Sequence, residues 1–402
     1  MAGFVSGGSV LATRRGGISA APRRGRGKFY ATTASPVETI PGLEVVSPEP
    51  FRGKTGIALM NIGSPKSLEV KDVREYLRQF LGDGRVVDLN PIVRWLVLNL
   101  FILPSRPKES AEAYSSIWDE DRGSPLIYHT EDLAVKLRER LGEGFMVELG
   151  MQYCEPNISG AFEKFRSNGV DKIVILPMYP QYASSATGAA VEIAYKAAAK
   201  IYNTPYLHVV PAFFDHPAYL RAYAETIRET IGQGGTKVDH LLMSFHGTPE
   251  QHCFNTDETG LHCKGDSSCC KQIVQANRNC YRAQCYETAR KLAATLELTE
   301  DRYTVAFQSR LSAAGKEWIK PYTDAVIEEL AEKGVRRMAC CIPSFTTDCL
   351  ETLEEIGIRG KEDFIAAGGD DLLLIPCLNS SDAFADGLLE IIRDSCPLDT
   401  II

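Results

Sequence analysis

Apolar residues along this chain fall into two rhythms. Short runs of branched aliphatics, closed by glycine, proline or polar clusters, alternate with longer stretches whose apolar positions recur every three or four residues. The first rhythm suits strands of a parallel sheet covered on both faces, and the second suits the helices that cover it. Eight strands are predicted, over 56–62, 146–151, 172–178 and 207–212 in the first half and over 240–245, 303–307, 337–342 and 371–376 in the second. Helices are predicted over 191–201 and 217–231. Ile173 to Leu207 and Met338 to Leu372 are both 34 residues apart, so the last two runs of each half are spaced alike. The repetition predicts an α/β protein of two similar lobes, each a four-stranded parallel sheet flanked by helices. Gly232-Gln-Gly-Gly235 breaks the chain between them and sets the lobes at 43–235 and 236–402. In such folds the ligand lies beyond the carboxyl ends of the strands, in the crevice between the halves.

One apolar stretch fits neither rhythm cleanly. Pro91-Ile-Val-Arg-Trp-Leu-Val-Leu-Asn-Leu-Phe-Ile-Leu-Pro104 is interrupted by Arg94 and Asn99 and is too short for the roughly 18 residues of a spanning helix. It reads either as a buried helix or as an apolar lip that meets a membrane surface or a flat apolar ligand.

Charge separates the first residues from the rest. Arg14, Arg15, Arg23, Arg24, Arg26 and Lys28 are six bases, and no acid precedes Glu38. This composition is that of an organellar transit peptide, assigned with its linker to 1–42. Without those six the body holds 38 basic against 52 acidic residues, a net charge of −14, which argues against nucleic acid as a partner. Twelve cysteines follow no secretory apolar segment, so they are expected as thiols or metal ligands rather than disulfides. Cys340 and Cys341, inside a strand run, read as small core residues.

The candidate chemistry sits at strand ends. Ser244-Phe-His-Gly-Thr-Pro249 places His246 where a buried strand exits, and Ser344-Phe-Thr-Thr-Asp-Cys-Leu-Glu351 leads from another strand into a helix. On that helix Glu351 and Glu355 would share one face, with Asp348 a turn earlier. Pro180-Gln-Tyr-Ala-Ser-Ser-Ala-Thr-Gly188 and Phe307-Gln-Ser-Arg310 are two more polar strand ends. Singly, each would serve to cap the next helix. Together they point to one cleft in which an acidic ledge and a histidine move a divalent cation and protons in opposite senses.

These residues lie within a longer series of motifs: Met60-Asn-Ile-Gly-Ser-Pro65, Val73-Arg-Glu-Tyr-Leu-Arg-Gln-Phe-Leu81, Tyr114 with Gly123-Ser-Pro-Leu126, Tyr179-Pro-Gln-Tyr182, Ser244-Phe-His-Gly247, Gln308-Ser-Arg310, Trp318 with Lys320-Pro-Tyr-Thr-Asp324, and Asp348-Cys-Leu-Glu-Thr-Leu-Glu-Glu355. In this order they closely resemble ferrochelatase, the enzyme that inserts ferrous iron into a porphyrin. The resemblance implies two Rossmann-like lobes of the chelatase type around a porphyrin cleft. It implies that His246 accepts protons or touches the metal, that Glu351 faces it, and that Asp348 and Glu355 carry metal or protons along the ledge. It assigns Arg106, Tyr114, Ser124, Gln308, Ser309 and Trp318 to the porphyrin. Fe2+ is expected as substrate together with protoporphyrin IX; coproporphyrin, or a carrier that binds porphyrin without metallating it, are the alternatives.

The chain also departs from that pattern. Cys349 stands where several relatives have histidine, and Gln152 where many have arginine. Ser184 and a tail that keeps only Cys396 exclude the animal-type cluster. In its place an insertion over 250–285 contains Cys253, Cys263, Cys269, Cys270, Cys280 and Cys285, with His252 and His262. Four of Cys263, Cys269, Cys270, Cys280 and Cys285 are expected to bind a [2Fe–2S] cluster, with zinc or free thiols as alternatives. The expected location is the mitochondrion, on the matrix side of the inner membrane and in peripheral contact with it, with a plastid as alternative and a homodimer as assembly.

Overall fold

The computed structural model describes residues 53–233, 237–310 and 316–396. The transit-peptide and linker reading of 1–42 lies outside the described residues. Eight strands form two sheets: β1 (Thr55–Met60), β2 (Phe145–Leu149), β3 (Lys172–Pro177) and β4 (Tyr206–Val209) in the first, β5 (His240–His246), β6 (Tyr303–Gln308), β7 (Arg337–Cys341) and β8 (Asp371–Leu374) in the second. All pairings are parallel, and the orders β2-β1-β3-β4 and β6-β5-β7-β8 are the same arrangement twice. The equal spacing in sequence has a direct structural meaning, because Ile173 pairs with Leu207 and Met338 with Leu372 in register. Every predicted strand is found.

Around the sheets run α1 (Val70–Gly82), α2 (Pro91–Val97), α3 (Arg106–Ser115), α4 (Pro125–Leu141), α5 (Ile158–Ser167), α6 (Ala189–Ala198) and α7 (Pro217–Gln233). The second half adds α8 (Glu250–Asn255), α9 (Tyr281–Thr295), α10 (Thr323–Glu332), α11 (Leu350–Leu353), α12 (Lys361–Ala366) and α13 (Asp382–Ser395). Several begin where the sequence supplies an acceptor for a free backbone N–H. The Asn90, Asn157 and Ser381 side chains cap α2, α5 and α13, and Pro91 opens α2 where no donor is needed.

The two lobes share a core. Helix α13 packs on α7 and α4 of the first lobe, and one apolar cluster runs from Leu133 and Tyr219 through Phe245 to Leu388. Arg140 pairs with Asp386 at 2.6 Å and Arg221 with Glu390 at 2.7 Å along that seam. At the floor of the cleft the Tyr219 hydroxyl donates to the Pro343 carbonyl at 2.6 Å and Thr346 Oγ1 to the Met178 carbonyl at 3.0 Å.

The stretch 91–104 is an exposed lip and not a buried helix. Helix α2 continues into a π-helical turn, Leu98–Ile102, in which Leu98 is buried. Ile92, Trp95, Leu100 and Phe101 are 71, 61, 59 and 73 % exposed. Among the described residues no helix is long and apolar enough to cross a membrane.

Candidate functional site

Parallel pairing sends the carboxyl ends of all strands in a sheet to one side, and the loops that leave them converge on a cavity of about 430 Å3. Its wall takes Asn61 after β1, Tyr179 and Gln181 after β3, His246 and Thr248 after β5, Ser309 and Arg310 after β6, and Ser344 and Phe345 after β7. Helices α1 and α3 close it with Tyr76, Leu77, Phe80, Arg106 and Tyr114.

His246 ends β5, fixed by neighbours on each side. Its N–H donates to Ser344 Oγ at 2.9 Å and its carbonyl accepts from the Tyr281 hydroxyl at 2.9 Å. Nδ1 lies 2.6 Å from the Gly247 carbonyl oxygen, which can only accept. Nδ1 therefore carries the hydrogen, and Nε2 of the neutral ring is left as an acceptor. Phe345 meets the ring edge-on at 6.0 Å.

The acidic ledge is built by one interrupted helix. Cys349, in extended conformation, caps α11, and its N–H donates to Thr352 Oγ1 at 3.0 Å. The π-helical segment Glu355–Gly360 then joins α11 to α12. Such bulges reset the phase of a helix and recur at functional sites. Here Glu351, Glu354, Glu355 and Arg359 all line the cavity. Glu355 is gripped by Ser309, whose N–H reaches Oε1 at 2.8 Å and whose hydroxyl reaches Oε2. Ser309 holds a left-handed backbone, φ 62°, which turns both donors toward the carboxylate. Burial pushes the Glu355 carboxyl up, opposed by Ser309 and His246 and reinforced by Glu351. Glu354 is held in a two-pronged pair with Arg359, at 2.7 and 2.9 Å. Burial also raises the phenols of Tyr76, Tyr114 and Tyr179, and the Glu351 charge adds to each.

Of the residues singled out by sequence, the fold brings His246, Glu351, Glu355, Arg106, Tyr114, Ser309 and Trp318 to this cavity. Asp348 is not part of the ledge. It precedes the cap of α11, is 4 % exposed, and accepts from Thr352 Oγ1, Asn379 Nδ2 and the Cys377 N–H. A helical spacing counted back from Glu351 misplaced it, because the helix starts after Cys349. Ser124 is the buried cap residue of α4 and does not line the cavity. Gln308 lies behind the wall, where its amide donates to the Glu351 carbonyl at 2.6 Å and accepts from Ser244 at 2.7 Å. Gln152 is buried beside the cavity and accepts from the Tyr179 hydroxyl.

Sequence reasoning missed Tyr76, Glu354, Thr248 and Tyr281. Glu354 had a signal, the i,i+3 spacing from Glu351; Tyr281 had none, since it arrives from beyond the insertion.

The insertion packs its thiols away from the cavity. Cys253 and Cys270 both adjoin Cys280, and these neighbours hold the Cys280 thiol well below its ordinary value. Cys269 and Cys270 sulfurs are 3.9 Å apart. Cys285 is fully buried between Tyr281 and Cys280, and Cys253, which sequence left out of the candidate ligands, adjoins Cys280 as well. Among the described residues, no three His, Cys, Asp or Glu side chains are disposed to hold one metal ion.

Comparison with known proteins agrees with this geometry. The family model for ferrochelatase matches residues 54–396. A ferrochelatase of Bdellovibrio bacteriovorus is 41 % identical over 85 % of this chain and 99 % of its own length. One from Coxiella burnetii is 41 % identical over 86 % of this chain and 95 % of its own, and one from Stutzerimonas stutzeri is 43 % identical over 83 % and 96 %. With a match across both lobes and relatives aligned over nearly their whole length, the chain belongs to the ferrochelatase family.

Proposed function

We propose that this ferrochelatase inserts Fe2+ into protoporphyrin IX, with His246 as base and Glu351 and Glu355 handling metal and protons. The observation that carries the reading is one cavity lined at once by His246, the Glu351–Glu355 ledge and an apolar wall of Ile62, Leu77, Phe80, Leu81 and Val86. Two pyrrole N–H bonds break and two Fe–N bonds form, so two protons must leave as the dication enters. Nε2 of His246 takes the first proton, and the Glu355 carboxylate, whose hold on a proton burial strengthens, takes the second and passes it toward Ser309 and solvent. The clamp on His246 and the rigid Tyr76–Tyr114 wall, edge to face at 6.4 Å, favour a bent macrocycle whose nitrogen lone pairs are exposed.

The lining cations support protoporphyrin over coproporphyrin. Arg359 is tied to the largely buried Glu354, while Arg310 and Arg106 have only solvent-exposed partners in Asp324 and Glu109, leaving these two to meet propionates. Two carboxylates suit that supply better than four. The exposed lip supports peripheral contact with a membrane, and the arginine-rich, acid-free start supports a mitochondrial destination. The homodimer belongs to the same reading and is tested by light scattering in detergent. The grouping of five thiols in the insertion supports a [2Fe–2S] cluster there.

Anaerobic mixing with ferrous iron and protoporphyrin IX tests the reading. Loss of porphyrin fluorescence with growth of the heme spectrum is expected, and His246→Ala is expected to slow it by about 10²–10⁴-fold. Glu351→Gln is expected to slow it as well, with porphyrin still bound in both. Unchanged turnover would refute these roles, and tight binding without metallation in the parent protein would favour the carrier.

A further inference from the structure

The insertion hides a cation. Arg282, in the first turn of α9, is 2 % exposed and among the largest fully buried side chains. Its Nη1 donates to the Gly265 carbonyl at 2.6 Å, its Nη2 lies 3.9 Å from Cys263 Sγ and 3.8 Å from Cys269 Sγ, and its Nε has no partner. Cys253 and Cys270 are close enough to interact with the same charge. Arg278 and Arg290, on either side of it in sequence, pair with Glu258 and Glu287. Arg282 pairs with no carboxylate among the described residues.

A guanidinium cannot shed its proton, and a buried one without a counter-anion is costly. Neutral thiols do not meet that cost, because S–H groups are weak acceptors. Thiolates do. Four cysteine thiolates around an oxidised [2Fe–2S] core leave a net charge of about −2, which a neighbouring guanidinium partly cancels. Sulfurs in a tetrahedral shell with metal–sulfur bonds near 2.3 Å stand about 3.8 Å apart, and the 3.9 Å between Cys269 and Cys270 is of that size.

We propose that Arg282 is the buried counter-cation of the iron–sulfur site in this insertion, whose four thiolates are supplied by four of the five cysteines Cys253, Cys263, Cys269, Cys270 and Cys280. The proposal rests on the cluster reading given above and adds to it a residue that sets the cluster's retention and potential. Hydrogen bonds and positive charge at the sulfurs favour the more negative, reduced cluster. Loss of the guanidinium therefore drives the potential down and loosens the cluster.

The test purifies the whole chain without oxygen, as parent, Arg282→Met and Arg282→Lys, and measures iron, acid-labile sulfide, zinc and the potential of the visible and spin-resonance signals. Porphyrin binding in the cleft reports folding. About two irons and two sulfides per parent chain are expected. Arg282→Met is expected to keep less than half of them, or to need a more negative potential for reduction, and Arg282→Lys to restore most of the loss. A parent cluster with Arg282→Met matching it in content and potential would overturn the role of Arg282 and spare the cluster. Equal losses in the Met and Lys variants would also overturn it, since charge would not be what matters. A parent protein with zinc, or without iron and sulfide, would overturn the cluster reading itself.

Discussion

Single atoms decide what the end of β5 can do. A Cβ on Gly247 would lie 2.8 Å from the Gln308 carbonyl oxygen and 3.3 Å from Trp318, so only glycine lets β5 and β6 close beneath the base. Gly247→Ala is expected to cost about 1–3 kcal/mol in urea unfolding and to slow metallation by moving His246; parental stability would show that the strands can part freely. Glu355 gives a pH dependence. Its folded value is raised mainly by burial, so the folded protein holds that proton to higher pH than the unfolded chain does. Ionised Glu355 therefore opposes folding at neutral pH, and that opposition fades as pH falls through the raised folded value toward the ordinary carboxylate range. Glu355→Gln should melt higher than the parent near neutral pH and alike in acid; a uniform loss of melting temperature would mean that the Ser309 bonds outweigh burial. Residue types at strand ends exposed His246, Glu351 and Glu355 in the sequence. Asp348 was misread because its neighbour Cys349, not it, starts the helix, and Cys253 was passed over because spacing within an irregular segment does not say which sulfurs meet.

At the scale of elements, the strands were the most legible part. A strand covered on both faces is buried at every position, as β1 is throughout, and so reads as an apolar run, here Gly56–Met60 after Thr55; that pattern survives without any knowledge of the fold. Lip helix α2 was ambiguous for a related reason. An apolar run tells that a face avoids water, not whether protein or lipid covers it. Exposure of Trp95 and Phe101 favours lipid. Replacing both with serine is expected to weaken co-sedimentation with anionic vesicles by at least about tenfold and to leave metallation of detergent-dispersed porphyrin unchanged, since neither lines the cavity. Equal vesicle binding would assign the lip to another partner. The π-helical turn at 355–360 left no mark in the sequence that hydropathy could detect, although it carries Glu355.

The whole molecule repeats one sheet order but not one chemistry. The first sheet and its helices supply most of the apolar and aromatic wall, with Tyr76, Phe80 and Tyr114, while the second supplies His246 and the ledge glutamates. The seam made by α13 on α7 and α4 holds the two contributions at a fixed distance. The repeat was readable from the spacing of its strands; the division of labour was not, because it depends on which loop points where. The bond from Tyr281 to the His246 carbonyl joins residues 35 apart in sequence and closes the thiol-bearing segment at its root. A loop pinned at its own neck is a cassette. The segment between His246 and Tyr281 hangs from one point of the cleft wall, so its length can vary while its two ends stay tied beside His246.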